Sequence, residues 1–83
     1  MKIKGRFRIR KDVDCYIGWF EEGSVLELSE LAVYITEQLR QERTETELID
    51  IVREKYPDVD AKGEVIATIQ TYKNIGLLEN ASS

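Results

Sequence analysis

The chain has 83 residues, 42% of them apolar and 34% charged, with a formal net charge of −4. That composition suits one small hydrophobic core and excludes a disordered chain. The acid excess speaks against nucleic acid as the main partner, because phosphate binding calls for a basic surface.

Residues 1–11 run against this balance, with six Lys and Arg and no acid. Ile3, Phe7 and Ile9 alternate there with Lys2, Lys4, Arg6, Arg8 and Arg10. This is the period of a strand with one wet face over residues 2–10, and it accounts for the cations better than a nucleic-acid arm does. Val13 to Phe20 is the second predicted strand, rich in β-branched and aromatic residues. Glu21, Glu22 and Gly23 make a short turn, and Ser24 to Leu28 the third strand. Three strands joined by tight turns predict an antiparallel meander.

Ser29 is the expected cap of a first helix running to about Gln41, with Leu31, Ala32, Ile35 and Leu39 on its apolar stripe and Glu37, Gln38 and Arg40 facing water. Thr44 and Glu47 form a T-x-x-E capping box opening a second helix, along which Leu48, Ile51, Val52 and Tyr56 (or Lys55) follow at helical spacing, and Pro57 ends it. Asp60 is the expected cap of a third helix, with Val65, Ile69 and Tyr72 turned inward and Gly76 as its stop. The order predicts one α+β domain over residues 1–80: a three-stranded antiparallel meander followed by three helices, winged-helix-like. Residues 81–83 are expected to fray.

Catalytic chemistry is sparse. Without histidine the chain lacks the commonest general base and metal ligand. The single Cys15 excludes an intramolecular disulfide and reads as a buried structural thiol in a β-prone run. The paired carboxylates Glu21/Glu22, Glu45/Glu47 and Asp58/Asp60 fall at turns or helix starts, where capping and solvation explain them. Asp58 to Gly63 lacks the ligands of a calcium loop, and the scattered glycines make no phosphate loop. No enzyme activity, cofactor or metal is expected. No apolar run is long enough to span a membrane and no signal peptide is evident, so the expected location is cytoplasmic.

Surface remains to be explained. A three-stranded meander leaves two edges open; the first strand is guarded by cations, whereas Ser24–Leu28 carries no Lys, Arg or Pro. On the third helix Ile66 lies at the margin of the core stripe, near Lys62 and Lys73. It either widens that stripe or walls a groove beside the open strand, apolar at its floor and basic at its rim. An extended peptide would fill such a groove by β-augmentation. The candidate peptide-binding residues are Ser24, Val25, Leu26, Glu27 and Leu28 on the strand, and Lys62, Ile66, Ile69, Gln70 and Lys73 on the helix.

The run ERTETELIDIVREKYPDVD, followed by a helix ending in YKNIGLLE, resembles the PqqD-like family, whose small domains are RiPP recognition elements. The resemblance covers roughly Arg6 to Glu79. It rests on Leu28-Ser29 before the first helix, Thr44 to Tyr56, and Gly76-Leu77-Leu78. The family's usual leucine–asparagine step is Leu28-Ser29 here, and Thr68 stands where a large apolar residue is common. The resemblance implies a winged-helix-like domain that binds the leader of a ribosomally made precursor peptide on its third strand and third helix. It then presents the precursor to a modifying enzyme, such as a radical-SAM maturase or a leader peptidase with a cyclase. The alternative is a winged-helix nucleic-acid-binding or transcription-cofactor domain, which the acidic start of the second helix disfavours. A third reading is a homodimer through the exposed edge.

Overall fold

The computed structural model describes residues 1–4, 7–19 and 25–79. Its elements are β1 (Lys2–Ile3), β2 (Arg8–Lys11), β3 (Tyr16–Trp19), β4 (Val25–Leu28), α1 (Glu30–Gln38), α2 (Glu45–Lys55), α3 (Ala61–Asn74) and β5 (Leu78–Glu79). The expected α+β order is present: β2, β3 and β4 form an antiparallel meander, and three helices follow. The predicted Glu21–Gly23 turn and the 81–83 tail lie outside the described residues.

The predicted first strand is two strands in two sheets. Arg8–Lys11 pairs with β3, whereas Lys2–Ile3 pairs with β5 in a separate ribbon. Three hydrogen bonds divert the early segment. Ile3 N–H donates to the Leu39 carbonyl at 2.8 Å, Lys4 N–H to Leu77 at 2.9 Å, and Phe7 N–H reaches back to Lys4 at 3.4 Å. Alternation in sequence reports which side chains point inward, and Ile3 and Phe7 are both buried. It cannot report which strand each piece pairs with.

The second strand begins at Tyr16 rather than Val13. The Asp12 N–H donates to the Cys15 carbonyl at 2.7 Å, closing a tight hairpin whose tip is Val13 and Asp14. Val13 is thereby left 88% exposed, its β-propensity overridden by the register. Cys15 consequently sits half-exposed at the strand entrance, not buried as expected.

Register sorts the meander's side chains onto two faces. Ile9, Gly18 and Leu26 form one cross-strand row and Lys11, Tyr16 and Leu28 the next; Ile9, Tyr16, Leu26 and Leu28 pack on or within the core. The opposite face carries Arg8, Trp19 and Val25, then Arg10, Ile17 and Glu27. The core is completed by Ile35, Leu39, Leu48, Val52, Ala61, Val65, Ile69, Tyr72 and Leu77.

Helix punctuation follows the residue chemistry. Ser29 accepts from Ala32 N–H at 3.1 Å, and the Thr44/Glu47 box is complete in both directions. Those bonds to Thr44 hold the exposed Glu47 carboxyl below its ordinary range. Asp60 accepts from Gly63 N–H at 3.2 Å, and a Cβ at Gly63 would collide with that carboxylate. The end of α3 is a Schellman motif: Gly76 takes φ 73°, its N–H bonds the Lys73 carbonyl at 3.1 Å, and the buried Leu77 bonds Tyr72 at 2.9 Å. Helix α1 stops at Gln38, short of Gln41. The Leu39 N–H is shared between the Ile35 and Thr36 carbonyls, a tightened last turn, and Arg43 N–H is drawn to the Met1 carbonyl at 2.9 Å.

One buried polar pair joins α1 to α3. Thr36 is fully buried and its hydroxyl donates to the Ala32 carbonyl at 2.7 Å, so the Tyr72 hydroxyl, 2.5 Å away, must be the donor between the two side chains. Burial pushes the Tyr72 hydroxyl above its ordinary value of 10.0. A raised folded-state value means a contribution to stability that is intact below the unfolded value near 10 and lost as pH rises through the folded one. Between pH 8 and 10.5 the urea midpoint of the wild type should fall more than that of Tyr72→Phe. Equal falls would show that this hydroxyl is not held neutral by the fold.

Candidate functional site

The outer edge of β4 is the natural starting point, because its strand has a partner on one side only within the meander. The Asp12–Cys15 hydrogen bond sets which backbone groups face outward. Hydrogen-bonded and non-hydrogen-bonded pairs alternate along an antiparallel ladder, so Arg10 with Ile17 and Arg8 with Trp19 are the bonded pairs between β2 and β3. Tyr16 and Gly18 then direct their N–H and C=O groups at β4, where their partners are Leu28 and Leu26. What remains for the open edge is the N–H and C=O of Val25 and Glu27.

The side chains along this edge obey the same alternation. Val25 and Glu27 are exposed on the outer face, Leu26 is half-buried against the core and Leu28 is buried. Ser24 lies outside the described residues. On α3, Lys62, Ile66, Gln70 and Lys73 follow one another at helical spacing and are all exposed, while Ile69 is buried. Ile66, at 41% exposure, does not serve the core, so its position beside the core stripe leaves an apolar side chain in water between two lysines. Gln70 donates to the Asn74 carboxamide oxygen at 3.1 Å and is the only member of this stripe with a side-chain bond among the described residues.

The two halves of the expected site line separate cavities. Glu27 and Leu28 border a cavity of about 470 Å³ at the hairpin end of the sheet, with Lys11, Asp14, Cys15 and Tyr16 and the start of α1. Ile69 and Lys73 border another of about 440 Å³, together with Met1, Arg43, Thr44 and Leu78. No α3 residue lines the first cavity and no β4 residue the second. The second is lined by Ile69, Leu78, Met1 and Lys73, and its walls include residues that alternation along the N-terminal strand could not have assigned. Met1 and Leu78 meet there because β1 pairs with β5, a long-range contact with no local signature.

Nucleophilic chemistry finds no support at Cys15. Desolvation and then the carboxylates of Glu27 and Asp12 push its thiol up, away from the reactive thiolate. Among the described residues no group of three or more Cys, Asp or Glu side chains could hold a metal ion, and no helix is long and apolar enough to cross a membrane.

No curated protein and no solved structure matches the chain. The family described as coenzyme PQQ synthesis protein D (PqqD) matches residues 19–78, a span that runs from the end of β3 through the open-edged strand and all three helices to the start of β5. The match takes in most of the chain, which therefore belongs to the PqqD family, that of the RiPP recognition elements.

Proposed function

We propose that this chain is a non-catalytic adaptor that binds the leader of a ribosomally synthesised precursor peptide by strand addition to β4, and presents it to a modifying enzyme. The observation that carries the reading is the β4 edge: Val25 and Glu27 direct backbone groups outward that have no partner among the described residues, from a strand with no Lys, Arg or Pro to block pairing. Membership of a family named for coenzyme PQQ synthesis supports a role in maturing a peptide-derived product. In this reading the peptide backbone continues the sheet beyond β4, and Lys62, Ile66, Ile69, Gln70 and Lys73 on α3 supply apolar and cationic contacts for its side chains. Lys62 and Lys73 favour acidic residues in the leader.

The modifying enzyme is a radical-SAM maturase or a leader peptidase acting with a cyclase. Ordering a flexible leader offsets much of its contact energy, so an affinity of about micromolar is expected. An NMR titration with a precursor leader encoded near this chain's gene tests the assignment. Shift changes should centre on 25–28 and the exposed face of α3. A leader that binds while perturbing only other segments would refute the site, and no binding at all would refute the function.

A further inference from the structure

The outer face of the meander is committed neither to the core nor to the open edge. Trp19 lies between Arg8 and Val25 across the strands, and Ile17 between Arg10 and Glu27. Ile17 and Trp19 are half-buried without touching the core cluster, and Val25 is 63% exposed. The Arg10 guanidinium stands 5.8 Å from the Trp19 ring centroid. Neither Arg8 nor Arg10 has an ion-pair partner among the described residues. This is an apolar centre with two cations along its β2 side that lack an ion-pair partner among the described residues, in a chain whose remaining charge is mostly acidic.

Its size limits what it can do alone. Three strands of four residues span about 15 Å by about 13 Å, or about 200 Å². A stable interface takes about 800 Å² from each partner. A second copy packed face to face would therefore be held weakly. Nucleic acid is disfavoured as well, because Glu27 shares the face and only two cations serve it. A strand added to β4 enlarges the face to about 260 Å², which serves as one part of a larger contact. By alternation every second side chain of the added peptide emerges on this same face beside Val25 and Glu27, so the bound leader widens the surface.

Resting on the leader-binding reading, we propose that the outer face of β2–β3–β4, completed by the bound leader, is the docking surface for the modifying enzyme. The enzyme meets it with an apolar spot over Trp19 and Val25 and an acidic patch against Arg8 and Arg10. Leader and enzyme then bind cooperatively, because each supplies surface the other needs. Linkage requires the effect to be reciprocal: the enzyme tightens leader binding by the same factor.

The test uses the full chain, the leader from the titration above and the purified enzyme that processes it. Calorimetry should show the leader raising the enzyme's affinity at least tenfold. An R8E/R10E double variant should weaken enzyme binding to the leader-loaded chain about tenfold or more and flatten its salt dependence. Its own leader affinity should stay within twofold, which also reports that it is folded. The neutral R8Q/R10Q variant should fall between the two. A leader that binds without changing enzyme affinity, or charge reversals that leave enzyme binding intact, would overturn the docking proposal alone. So would a homodimer in sedimentation that R8E/R10E dissolves, or salt-dependent oligonucleotide binding that it abolishes. A chain that binds no leader would overturn the underlying function, and the composite surface with it.

Discussion

Proline in place of Glu27 should eliminate detectable leader binding while leaving the chain folded. The Glu27 N–H faces the open edge, so its removal breaks no hydrogen bond to β3. Proline is tolerated in edge strands when the missing donor faces outward. For an added strand the same change removes one of the two donors that β4 offers and puts a ring in the ladder. A single hydrogen bond contributes about 1 kcal/mol net, about fivefold in Kd, so most of the loss comes from the ring's steric conflict with the added strand. Val25→Pro should act likewise, and Glu27→Gln should bind nearly as the wild type does, separating backbone from charge. Leu26→Pro is the opposite case: its N–H is directed at Gly18, so that variant should lose the meander itself. Wild-type leader affinity in both Glu27→Pro and Val25→Pro would show that the leader does not add to β4.

Alanine in place of Gly18 should produce one of the largest stability losses available to a single methyl group. Gly18 is in the inward row of β3, and an added Cβ would overlap the tip of the Phe7 ring. That ring cannot swing aside, for it is 1% exposed and packed against Tyr72 with ring centroids 6.2 Å apart. Overpacking of this kind costs about 1–3 kcal/mol, a large share of the total for a domain of this size. At about 4–8 °C per kcal/mol, the Tm should fall by about 5–20 °C. The double variant Gly18→Ala/Phe7→Leu, which shortens the opposing side chain, should recover part of the loss. An unchanged Tm for Gly18→Ala would mean that Phe7 does not lie over the sheet.

Both predictions depend on facts with different visibility in the sequence. That Val25–Leu28 is an unguarded strand is legible from residue types alone, and so are the caps at Ser29, Thr44 and Asp60. Cap chemistry acts within four residues and needs no distant partner. Which of Val25 and Glu27 turns its amide outward is not legible, because composition carries no ladder parity; it took the Asp12–Cys15 hydrogen bond and two registers to show that both do. The approach of Phe7 to Gly18 is equally silent, since the glycine has no local turn to explain it. The Thr36–Tyr72 pair hides for a related reason: a threonine in a helix looks like a solvated residue until the partner 36 positions away is known.

The candidate site divides along the same line. The exposed stripe of Lys62, Ile66, Gln70 and Lys73 follows from helical geometry once α3 is placed. The walls around Ile69 and Lys73 do not, because Met1 and Leu78 reach them only through the pairing of β1 with β5. The outer sheet face was similarly invisible: Arg8 and Arg10 read as strand guards, and only cross-strand register places Trp19 and Ile17 beside them.

Taken by itself, the sequence determined what is local: three helices with their caps, the stops of the second and third, a β-rich first third, and one strand free of the residues that block pairing. The tertiary structure decided how the N-terminal strand divides between two sheets, which backbone groups β4 leaves free, and which side chains share a face. The physical reason is range. Caps, propensities and periodicity act over a few residues, while register and sheet membership are set by hydrogen bonds between segments far apart in the chain, whose relative placement no single segment encodes.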